Sequence, residues 1–525
     1  MSASNRKKLH QEQENVKTTQ KLEREKQAKK EARKIKAMTI GFVAVVIVVV
    51  LAVAAGGFLN SGLLESHTTA LTAGSHKLTP AEMKYFYTDY VNNFANNSSY
   101  SSMLNYIIDT SKPLDKQKYS DDQTWADYLM EGALNSAKDT YALYDEAQKN
   151  GYTLPEEQLQ SIESSLNTVS QYASLYGYPN TGAYLKAIYG KGSSMDSYRN
   201  YLIINQTAAS FANQHLTSLT YTDEDLRTKE AENFDAFSSY TFHAYNVATS
   251  NYLEAADSAN PTDEEKAASR EAAKKVADTI AANGTTEATF AKEVRNNCPE
   301  NQAETYKEDD STLQTNLLYS SLNDDIAQWL SDSSRKAGDT VVLPQGEEGA
   351  ETSYNVILFV SSRDNSETPM VNVRHILIGT DDDTDAAAAK AKIEELKAQF
   401  EENPTEDNFA TLANKNSTDT GSNTNGGLYE NVNEGAMVAE FNEWIFDESR
   451  KAGDVGIVET EFGCHLIYFV EKCEQNYRDY LITTNLRNAD YTAWHEALLE
   501  AYTTTSKFGM NFVDTGLILN PGQKS

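Results

Sequence analysis

Basic residues are scarce in this 525-residue chain, which has 46 Lys and Arg against 77 Asp and Glu and a formal net charge of −31. Those present cluster at the start, because residues 1–37 hold 12 Lys or Arg and five Glu. This leader carries a local charge of +7, which leaves −38 for the rest of the chain. A surface this acidic repels phosphate backbones, so we expect no nucleic-acid partner.

Cysteine is also scarce, with only Cys298, Cys464 and Cys473 present. The three do not have the spacing of a metal site, and we expect neither a metal nor a cofactor. Cys464 and Cys473 are nine residues apart, on a predicted extended segment of about 30 Å. They can form a disulfide only if the chain folds back, so we expect buried free thiols.

Charged residues are absent from one long stretch, the 22 residues 38–59. That length spans a hydrocarbon core of about 30 Å at roughly 1.5 Å per residue. The Lys/Arg excess before it predicts a single-pass cell-membrane protein with a cytoplasmic N-terminus and an extracytoplasmic main body. A cleaved signal peptide is the alternative, because the AVA sequence at 52–54 loosely fits a cleavage site. Residues 60–77 follow as a predicted spacer.

Signals for helix starts recur between residues 78 and 235. TPAE at 79–82 has the pattern of a capping box with proline at the first helical position. TLPE at 153–156 is a near repeat, and Thr222 with Asp225 is a weaker third. We predict an all-α domain whose Tyr, Leu and Met residues could line a groove for extended clients. An ordinary helical core is the alternative for any one of those residues.

The C-terminal segment 474–525 contains another predicted helix at 489–502 and a strand-like run at 507–514. We expect this segment to pack back on the helical domain. That domain would then be discontinuous, formed by 78–235 with 476–525.

Two sections, 236–365 (module 1) and 371–473 (module 2), repeat one order of predicted elements: strand, helix, helix, loop, helix, strand, strand. The phrase WLSDSSRKAGD begins at Trp329, and WIFDESRKAGD begins at Trp444, 115 residues later. We predict that each phrase ends a helix, at 324–336 and 440–451, before the chain reverses into a strand.

Each phrase carries the features of a helix end. Gly338 and Gly453 are expected to take the left-handed conformation just past it. The Arg-Lys pairs at 335–336 and 450–451 fall in the predicted last turn, where positive charge offsets the helix dipole. The tryptophans are expected to face the sheet, so the phrase is predicted to be architectural and not catalytic.

Module 2 contains an ordered set of motifs over residues 371–472. These are two strand histidines, Ser-x-Asp at 417–419, Gly-Gly at 426–427, Met-x-x-x-Phe at 437–441 and Thr-x-Phe-Gly-x-His at 460–465. The combination resembles the parvulin family of peptidyl-prolyl cis/trans isomerases. The wider layout resembles that of extracytoplasmic foldases of the PrsA and SurA types. In those, helical N-terminal and C-terminal segments form a chaperone domain that carries one or two parvulin domains.

The resemblance implies an α+β multidomain fold. It would comprise an N-terminal transmembrane helix, a helical chaperone-like domain completed by the C-terminal helix, and two parvulin-like α/β modules. The resemblance also implies the site residues. A hydrogen-bonded catalytic set would comprise His375, Asp419, His465 and Thr460. An apolar pocket for the proline ring would comprise Leu428, Met437, Phe441 and Phe462. Isomerisation needs no covalent intermediate, so no nucleophile is assigned.

Module 1 is predicted to have lost this site. Aligned on the repeated phrase and its flanking strands, His243 corresponds to His375 and Asn355 to His465. Module 1 has no Gly-Gly and no convincing Ser-x-Asp or Met-x-x-x-Phe, so we expect it to bind or space and not to catalyse.

Parvulins that read phosphorylated Ser or Thr before proline carry a basic patch after the first strand. The equivalent segment here, 381–385, contains four Asp. We therefore expect no phospho-specificity.

The leading hypothesis is a membrane-anchored, extracytoplasmic foldase that binds unfolded exported polypeptides and isomerises their Xaa-Pro bonds. The first alternative is a non-catalytic holdase in which both modules are scaffolding. The second is a surface adhesin or assembly factor, which predicts one tight partner instead of weak binding to many unfolded chains.

Overall fold

The computed structural model describes residues 62–97, 106–255, 260–380 and 385–519. The predicted leader and membrane anchor lie outside the described residues. Across the described ranges, no helix combines the length and apolar character needed to cross a membrane. The chain divides into unit 1, which comprises Met1–Leu219 and Asn488–Ser525, and unit 2, Thr220–Arg487.

The elements are numbered in chain order. The helices are α1 (Leu63–His67), α2 (Pro80–Asn96), α3 (Trp125–Lys149), α4 (Glu156–Leu175), α5 (Thr181–Tyr189), α6 (Met195–Ser218), α7 (Asp223–Glu232), α8 (Asp263–Asn283), α9 (Glu287–Asn297), α10 (Asp324–Leu330), α11 (Ala386–Glu402), α12 (Glu406–Asn416), α13 (Ala439–Ile445) and α14 (Tyr477–Ala501). The strands are β1 (Leu71–Ala73), β2 (His76–Leu78), β3 (Ser239–Ala248), β4 (Leu313–Leu318), β5 (Thr340–Gln345), β6 (Ser353–Arg363), β7 (Met370–Gly379), β8 (Leu428–Asn433), β9 (Val455–Thr460), β10 (Gly463–Lys472) and β11 (Thr504–Ser506).

The predicted helix starts of unit 1 and α7 are present, with one difference in chemistry. Thr79 caps α2 in a complete capping box: its hydroxyl accepts from the Glu82 N–H at 3.2 Å, and the Glu82 carboxylate accepts from the Thr79 N–H at 2.7 Å. The box at Thr222 is complete as well. Helix α4 begins where predicted, but Pro155 occupies its N-cap position and no side chain caps it.

The segment 60–77, predicted as a spacer, contains secondary structure. It holds α1, β1 and most of β2, and β1 pairs antiparallel with both β2 and β11. The C-terminal strand β11 therefore completes a three-stranded sheet in unit 1. The predicted strand at 507–514 is wrong, because Phe508–Phe512 forms a 3₁₀ helix directly after β11.

The two modules in unit 2 share one sheet topology. Each is a four-stranded antiparallel sheet, ordered β4-β3-β6-β5 in module 1 and β8-β7-β10-β9 in module 2. The repeated order of elements is confirmed, with one addition. Strands β4 and β8 lie in the segments predicted as loops.

A shared irregularity in the added strands strengthens the repeat. Asn316 in β4 and Asn431 in β8 both have positive φ, 52° and 54°, and they lie 115 residues apart, the spacing of the repeated phrase. At each, the pairing register with the neighbouring strand shifts, which marks a β-bulge.

The repeated phrase ends its helix earlier than predicted. Helices α10 and α13 stop at Leu330 and Ile445, and the phrase continues as turns. Gly338 and Gly453 do adopt left-handed φ values, 96° and 91°. They occupy a turn before β5 and β9, several residues beyond the helix end.

The arginine of each phrase has the same role in both copies, and it is not that of a last-turn residue. The guanidinium of Arg335 lies 4.0 Å from the Trp329 ring centroid, and its Nε donates to the Trp329 carbonyl at 3.0 Å. Arg450 repeats this on Trp444 at 4.2 Å and 3.0 Å. Each arginine thus closes a helix end by hydrogen bonding a terminal carbonyl and stacking on the ring.

The two faces of the module 2 sheet have different coverings. Helices α11 and α12 pack on one face, where Ile376 and Leu466 contribute to the core. Helix α13 packs on the other, with Val373, Phe441 and Ile467. The three cysteines are free, as predicted, although only Cys464 is fully buried.

Candidate active site

Two histidines from adjacent strands meet on the α13 face of module 2. His375 lies on β7 and His465 on β10, which pair antiparallel with His465 opposite Leu377. Side chains two apart on a strand share a face, so positions 373, 375 and 377 of β7 point together. The Nδ1 atoms of the two histidines are 3.3 Å apart, and the residues are 2% and 5% exposed.

Asp419 reaches the histidines from the loop after α12, which is tied to β7. The Ser417 hydroxyl accepts from the Leu377 N–H at 3.1 Å, and the Thr418 N–H donates to the Leu377 carbonyl at 2.8 Å. These bonds fix Asp419 so that its Oδ2 lies 2.9 Å from Nε2 of His375.

Thr460 extends the set at the other end. It is the last residue of β9, and its hydroxyl lies 2.9 Å from Nε2 of His465. The four residues predicted as a hydrogen-bonded set therefore form one chain: Thr460, His465, His375 and Asp419.

Burial fixes the protonation of both rings. It lowers the pKa of His375, and the neighbouring Asp419 carboxylate only partly offsets this effect. Burial and the proximity of His375 lower the pKa of His465 to about 4. Both imidazoles are therefore neutral at pH 7.

Neutral rings give the chain of hydrogen bonds one direction. His375 donates from Nε2 to the Asp419 carboxylate, so its Nδ1 is an acceptor. His465 must then donate from Nδ1, which leaves its Nε2 to accept from the Thr460 hydroxyl. The whole chain is polarised toward Asp419.

Asp419 is held as a carboxylate. Burial acts to raise its pKa, but hydrogen bonds from Ser422, the Gly421 N–H, Tyr429 and His375 outweigh burial and lower the pKa to about 2. The Gly421 N–H donates to Oδ1 at 3.0 Å, while the three side-chain donors share Oδ2.

Phe441 provides the apolar wall over the histidines. Its ring meets His375 and His465 edge-on, with centroid distances of 5.7 Å and 5.3 Å, and it is buried. Met437 lies in the loop before α13 and packs on the same core. Of these two predicted pocket residues, Phe441 therefore lies against both histidines, and Met437 shares its core.

Phe462 lies at the turn between β9 and β10. Its N–H donates to the Thr460 hydroxyl oxygen at 3.2 Å. Its side chain is 58% exposed, so it is available to a ligand but is not part of the buried wall.

The structure corrects the assignment of Leu428. In β8, Leu428 pairs with Arg374 and Tyr429 pairs with Val373. Paired residues share a face, so Leu428 points toward the face covered by α11 and α12, and Tyr429 points toward the histidines. Because side chains alternate, a one-residue error in the assignment moves the residue to the wrong face.

Two residues at the site were not assigned from the sequence. Ser422 is fully buried, lies 3.1 Å from Nε2 of His375 and donates to Asp419. Tyr429 donates to the same carboxylate at 2.9 Å. Recognising β8 as a strand would have identified Tyr429 through its alternation, but no periodic signal precedes Ser422.

The Gly-Gly motif explains how β8 comes close enough to β7. Gly427 has φ 69°, and a Cβ on it would lie 2.1 Å from the carbonyl oxygen of His375. The His375 N–H donates to the Gly427 carbonyl at 2.8 Å. A side chain at this position would push β7 away and displace His375.

The sheet register confirms one module 1 correspondence and corrects the other. Gly338 and Gly453 donate to the carbonyls of Phe359 and Phe469, at 3.0 Å and 2.9 Å, so these phenylalanines are equivalent. Counting along the paired strands makes Asn355 equivalent to His465, as predicted. The same count makes Ala244, and not His243, equivalent to His375.

His243 lies on the other face of its sheet. Its Nδ1 is 2.8 Å from the Thr312 hydroxyl, and its ring lies 5.6 Å from that of Phe290 on α9. Burial lowers its pKa. His243 is therefore a core residue that faces α9. Module 1 has Ala244 and Asn355 at the positions equivalent to the two histidines.

Comparisons with known proteins agree with this geometry. Residues 354–473 match the PPIC-type PPIASE domain family. The foldase protein PrsA 1 of Listeria innocua is 35% identical over 107 residues, which cover 20% of this chain and 32% of the relative. The chaperone SurA of Methylococcus capsulatus is 34% identical over 127 residues, which cover 23% and 27%. The chain therefore spans about a third or less of the length of these relatives.

Among solved structures, PrsA from Bacillus subtilis covers 74% of this chain and 91% of its own, at 12% identity and a TM-score of 0.26. The resemblance to the parvulin family that the motifs indicated is confirmed by the family match. Residues 354–473 therefore match a PPIC-type peptidyl-prolyl isomerase domain, and the chain resembles the PrsA and SurA proteins.

Proposed function

We propose that the chain is an extracytoplasmic foldase whose module 2 catalyses cis/trans isomerisation of Xaa-Pro bonds in unfolded exported polypeptides. The observation that carries the proposal is the polarised chain from Thr460 to Asp419, whose two histidines are buried beside the Phe441 ring. The match of residues 354–473 to the PPIC-type PPIASE domain family supports the same reaction.

The reaction needs a surface that favours the twisted amide. Rotation about an Xaa-Pro bond costs about 18–20 kcal/mol because the amide loses its resonance. An apolar wall such as Phe441 and Met437 suits the prolyl ring, while water is kept away from the rotating carbonyl. The neutral, oriented imidazoles supply a fixed dipole pattern beneath it and require no covalent step.

The charge around the pocket bears on the substrate. Residues 416–449, which supply most of the pocket, contain seven Asp or Glu and no Lys or Arg. The acidic loop 381–384 lies outside the described residues. The acidic segment 416–449 is therefore a separate reason to expect that the site disfavours phosphorylated Ser or Thr before proline.

In this proposal, unit 1 binds unfolded client polypeptides. Residues 164–185 contain no charged side chain, and in the structure they present Leu175 at 75% exposure and Tyr176 at 65%. Neighbouring tyrosines form a ring cluster, with Tyr176 and Tyr184 stacked at 6.2 Å. Exposed apolar rings with hydroxyl groups suit weak contacts with many sequences. This surface is the observation that favours a holdase role beside the catalytic one.

The proposed location is the outer face of a cell membrane. The uncharged 22-residue run at 38–59 would be the anchor, and the basic leader would stay in the cytoplasm. A tethered catalyst near the export site makes kinetic sense, because uncatalysed prolyl isomerisation takes tens to hundreds of seconds.

The test is a proline-limited refolding assay with the chain from residue 62 onward. The wild type is expected to accelerate the slow phase, and Asp419→Ala is expected to lose most of that effect. Asp407→Ala, which removes an exposed carboxylate on α12, is the matched control. Equal slow phases with and without the wild type would reject the enzyme and leave only the holdase.

A further inference from the structure

Tyr429 lies beside the histidines of module 2, a position that was not predicted from the sequence. It lies on β8 opposite Val373, on the sheet face that carries His375. It is partly buried and packs on the core formed with α13.

The tyrosine makes two separate contacts with the catalytic set. Its ring centroid lies 4.6 Å from that of His375, with an interplanar angle of 33°. Its hydroxyl donates to Oδ2 of Asp419 at 2.9 Å. One side chain thus touches both ends of the bond between His375 and Asp419.

The second contact makes Oδ2 of Asp419 a crowded acceptor. It receives hydrogen bonds from His375, Ser422 and Tyr429. Ser422 belongs to the same loop as Asp419 and moves with it, whereas Tyr429 belongs to the sheet. The tyrosine is therefore the donor that, with His375, fixes the carboxylate relative to the strands.

We propose that Tyr429 is a positioning residue for the isomerase reaction, with its hydroxyl holding Asp419 in line with His375 and its ring forming one wall of the prolyl pocket. This inference rests on the proposed function of module 2. In this inference, the hydroxyl keeps the hydrogen-bond chain in order, and the ring shapes the pocket.

The two roles can be separated by substitution. Tyr429→Phe keeps the ring and removes the donor, while Tyr429→Leu keeps an apolar side chain and removes both donor and ring. Losing one donor to a buried carboxylate weakens its restraint and raises its pKa. We expect Tyr429→Phe to lower kcat about tenfold with little change in KM, and Tyr429→Leu to raise KM in addition.

The control is Tyr468→Phe in the same module. Tyr468 lies on β10 beside Phe400 and Phe409, on the face covered by α11 and α12. The Tyr468→Phe variant also loses a tyrosine hydroxyl, but Tyr468 does not contact the catalytic set. Its kcat and KM are expected to match those of the wild type.

The experiment measures peptide isomerisation and the imidazole ¹⁵N spectra of the chain from residue 62 onward. In the wild type, His375 should be protonated at Nε2 and His465 at Nδ1. Tyr429→Phe should shift the His375 signals toward mixed tautomers, which a merely structural tyrosine would not do. A folded Tyr429→Phe protein with wild-type kcat and unchanged imidazole signals overturns the inference while the proposed function stands. A wild type that accelerates no Xaa-Pro peptide overturns both.

Discussion

Nδ1 of His375 lies 3.3 Å from Nδ1 of His465 across the pair of strands β7 and β10. Two imidazoles this close cannot both be protonated at low cost, because each charge opposes the other in a buried setting. The pair therefore behaves as one neutral unit, and its neutrality is tied to the folding of module 2.

The first prediction concerns pH. His465 has a pKa of about 4 in the folded protein, below the usual value of about 6.5. The unfolded chain therefore binds more protons, so the contribution of His465 to stability is complete above pH 6.5 and is lost as pH falls toward 4. The free energy of unfolding of module 2 should fall by roughly 3 kcal/mol across this window.

Urea unfolding at pH 7 and pH 4.5 measures this dependence. His465→Asn is the appropriate variant, because Asn355 occupies the equivalent position in module 1. It should flatten the pH dependence of module 2 unfolding. An equally steep dependence in the variant would assign the effect to other groups.

The second prediction concerns the Gly-Gly motif. Gly427→Ala places a Cβ 2.1 Å from the His375 carbonyl oxygen, so β7 or β8 must move. Beyond the cost of about 1–2 kcal/mol for a left-handed alanine, we expect at least a further 2 kcal/mol of destabilisation and loss of isomerase activity.

Gly349→Ala is the control for the second prediction. Gly349 has φ 79°, and nothing lies within 4 Å of a Cβ built on it. It should show only the conformational cost, with full activity. Equal losses of stability for the two variants would mean that close approach to His375 is unimportant.

The sequence predicted the chemistry of the site better than the sheet face on which each residue lies. His375, Asp419, His465 and Thr460 were predicted as one set because their motifs are distinctive, and the structure joins them by hydrogen bonds. Leu428 was misassigned because β8 has no strong strand signal. Its sequence LYENVN is rich in Asn and Glu, and a positive-φ asparagine interrupts it.

The same limit applies to module 1 and to the repeated phrase. His243 was aligned with His375 from sequence spacing, but only the pairing register shows that it faces the helices. The helices α10 and α13 were extended too far because Arg, Lys and Ala in the repeated phrase are good helix formers. The stacking of Arg335 on Trp329, six residues earlier, is a side-chain contact past the end of α10 that helix propensity does not describe.

The third prediction concerns substrate charge. A pocket whose segment 416–449 has seven acidic and no basic residues should repel a phosphate next to proline. We expect kcat/KM for a phosphoserine-Pro peptide to be at least tenfold below that for the Ala-Pro peptide at low salt. Raising the ionic strength to about 1 M, where the Debye length is about 3 Å, should narrow the difference. A phosphopeptide that reacts as fast as the alanine peptide would contradict this prediction.

The fourth prediction uses the repeated phrase as its own control. Arg335→Lys and Arg450→Lys keep the charge but lose the planar stacking on Trp329 and Trp444 and the aligned Nε donor. Because the geometry is the same in both modules, each change should destabilise its own module by about 1–2 kcal/mol. Only Arg450→Lys should lower isomerase activity, since α13 carries Phe441 above the histidines. Hydrogen exchange resolved by module measures the stability change of each variant, and the peptide assay measures its isomerase activity. A larger loss of activity in Arg335→Lys than in Arg450→Lys would mean that module 1 takes part in catalysis.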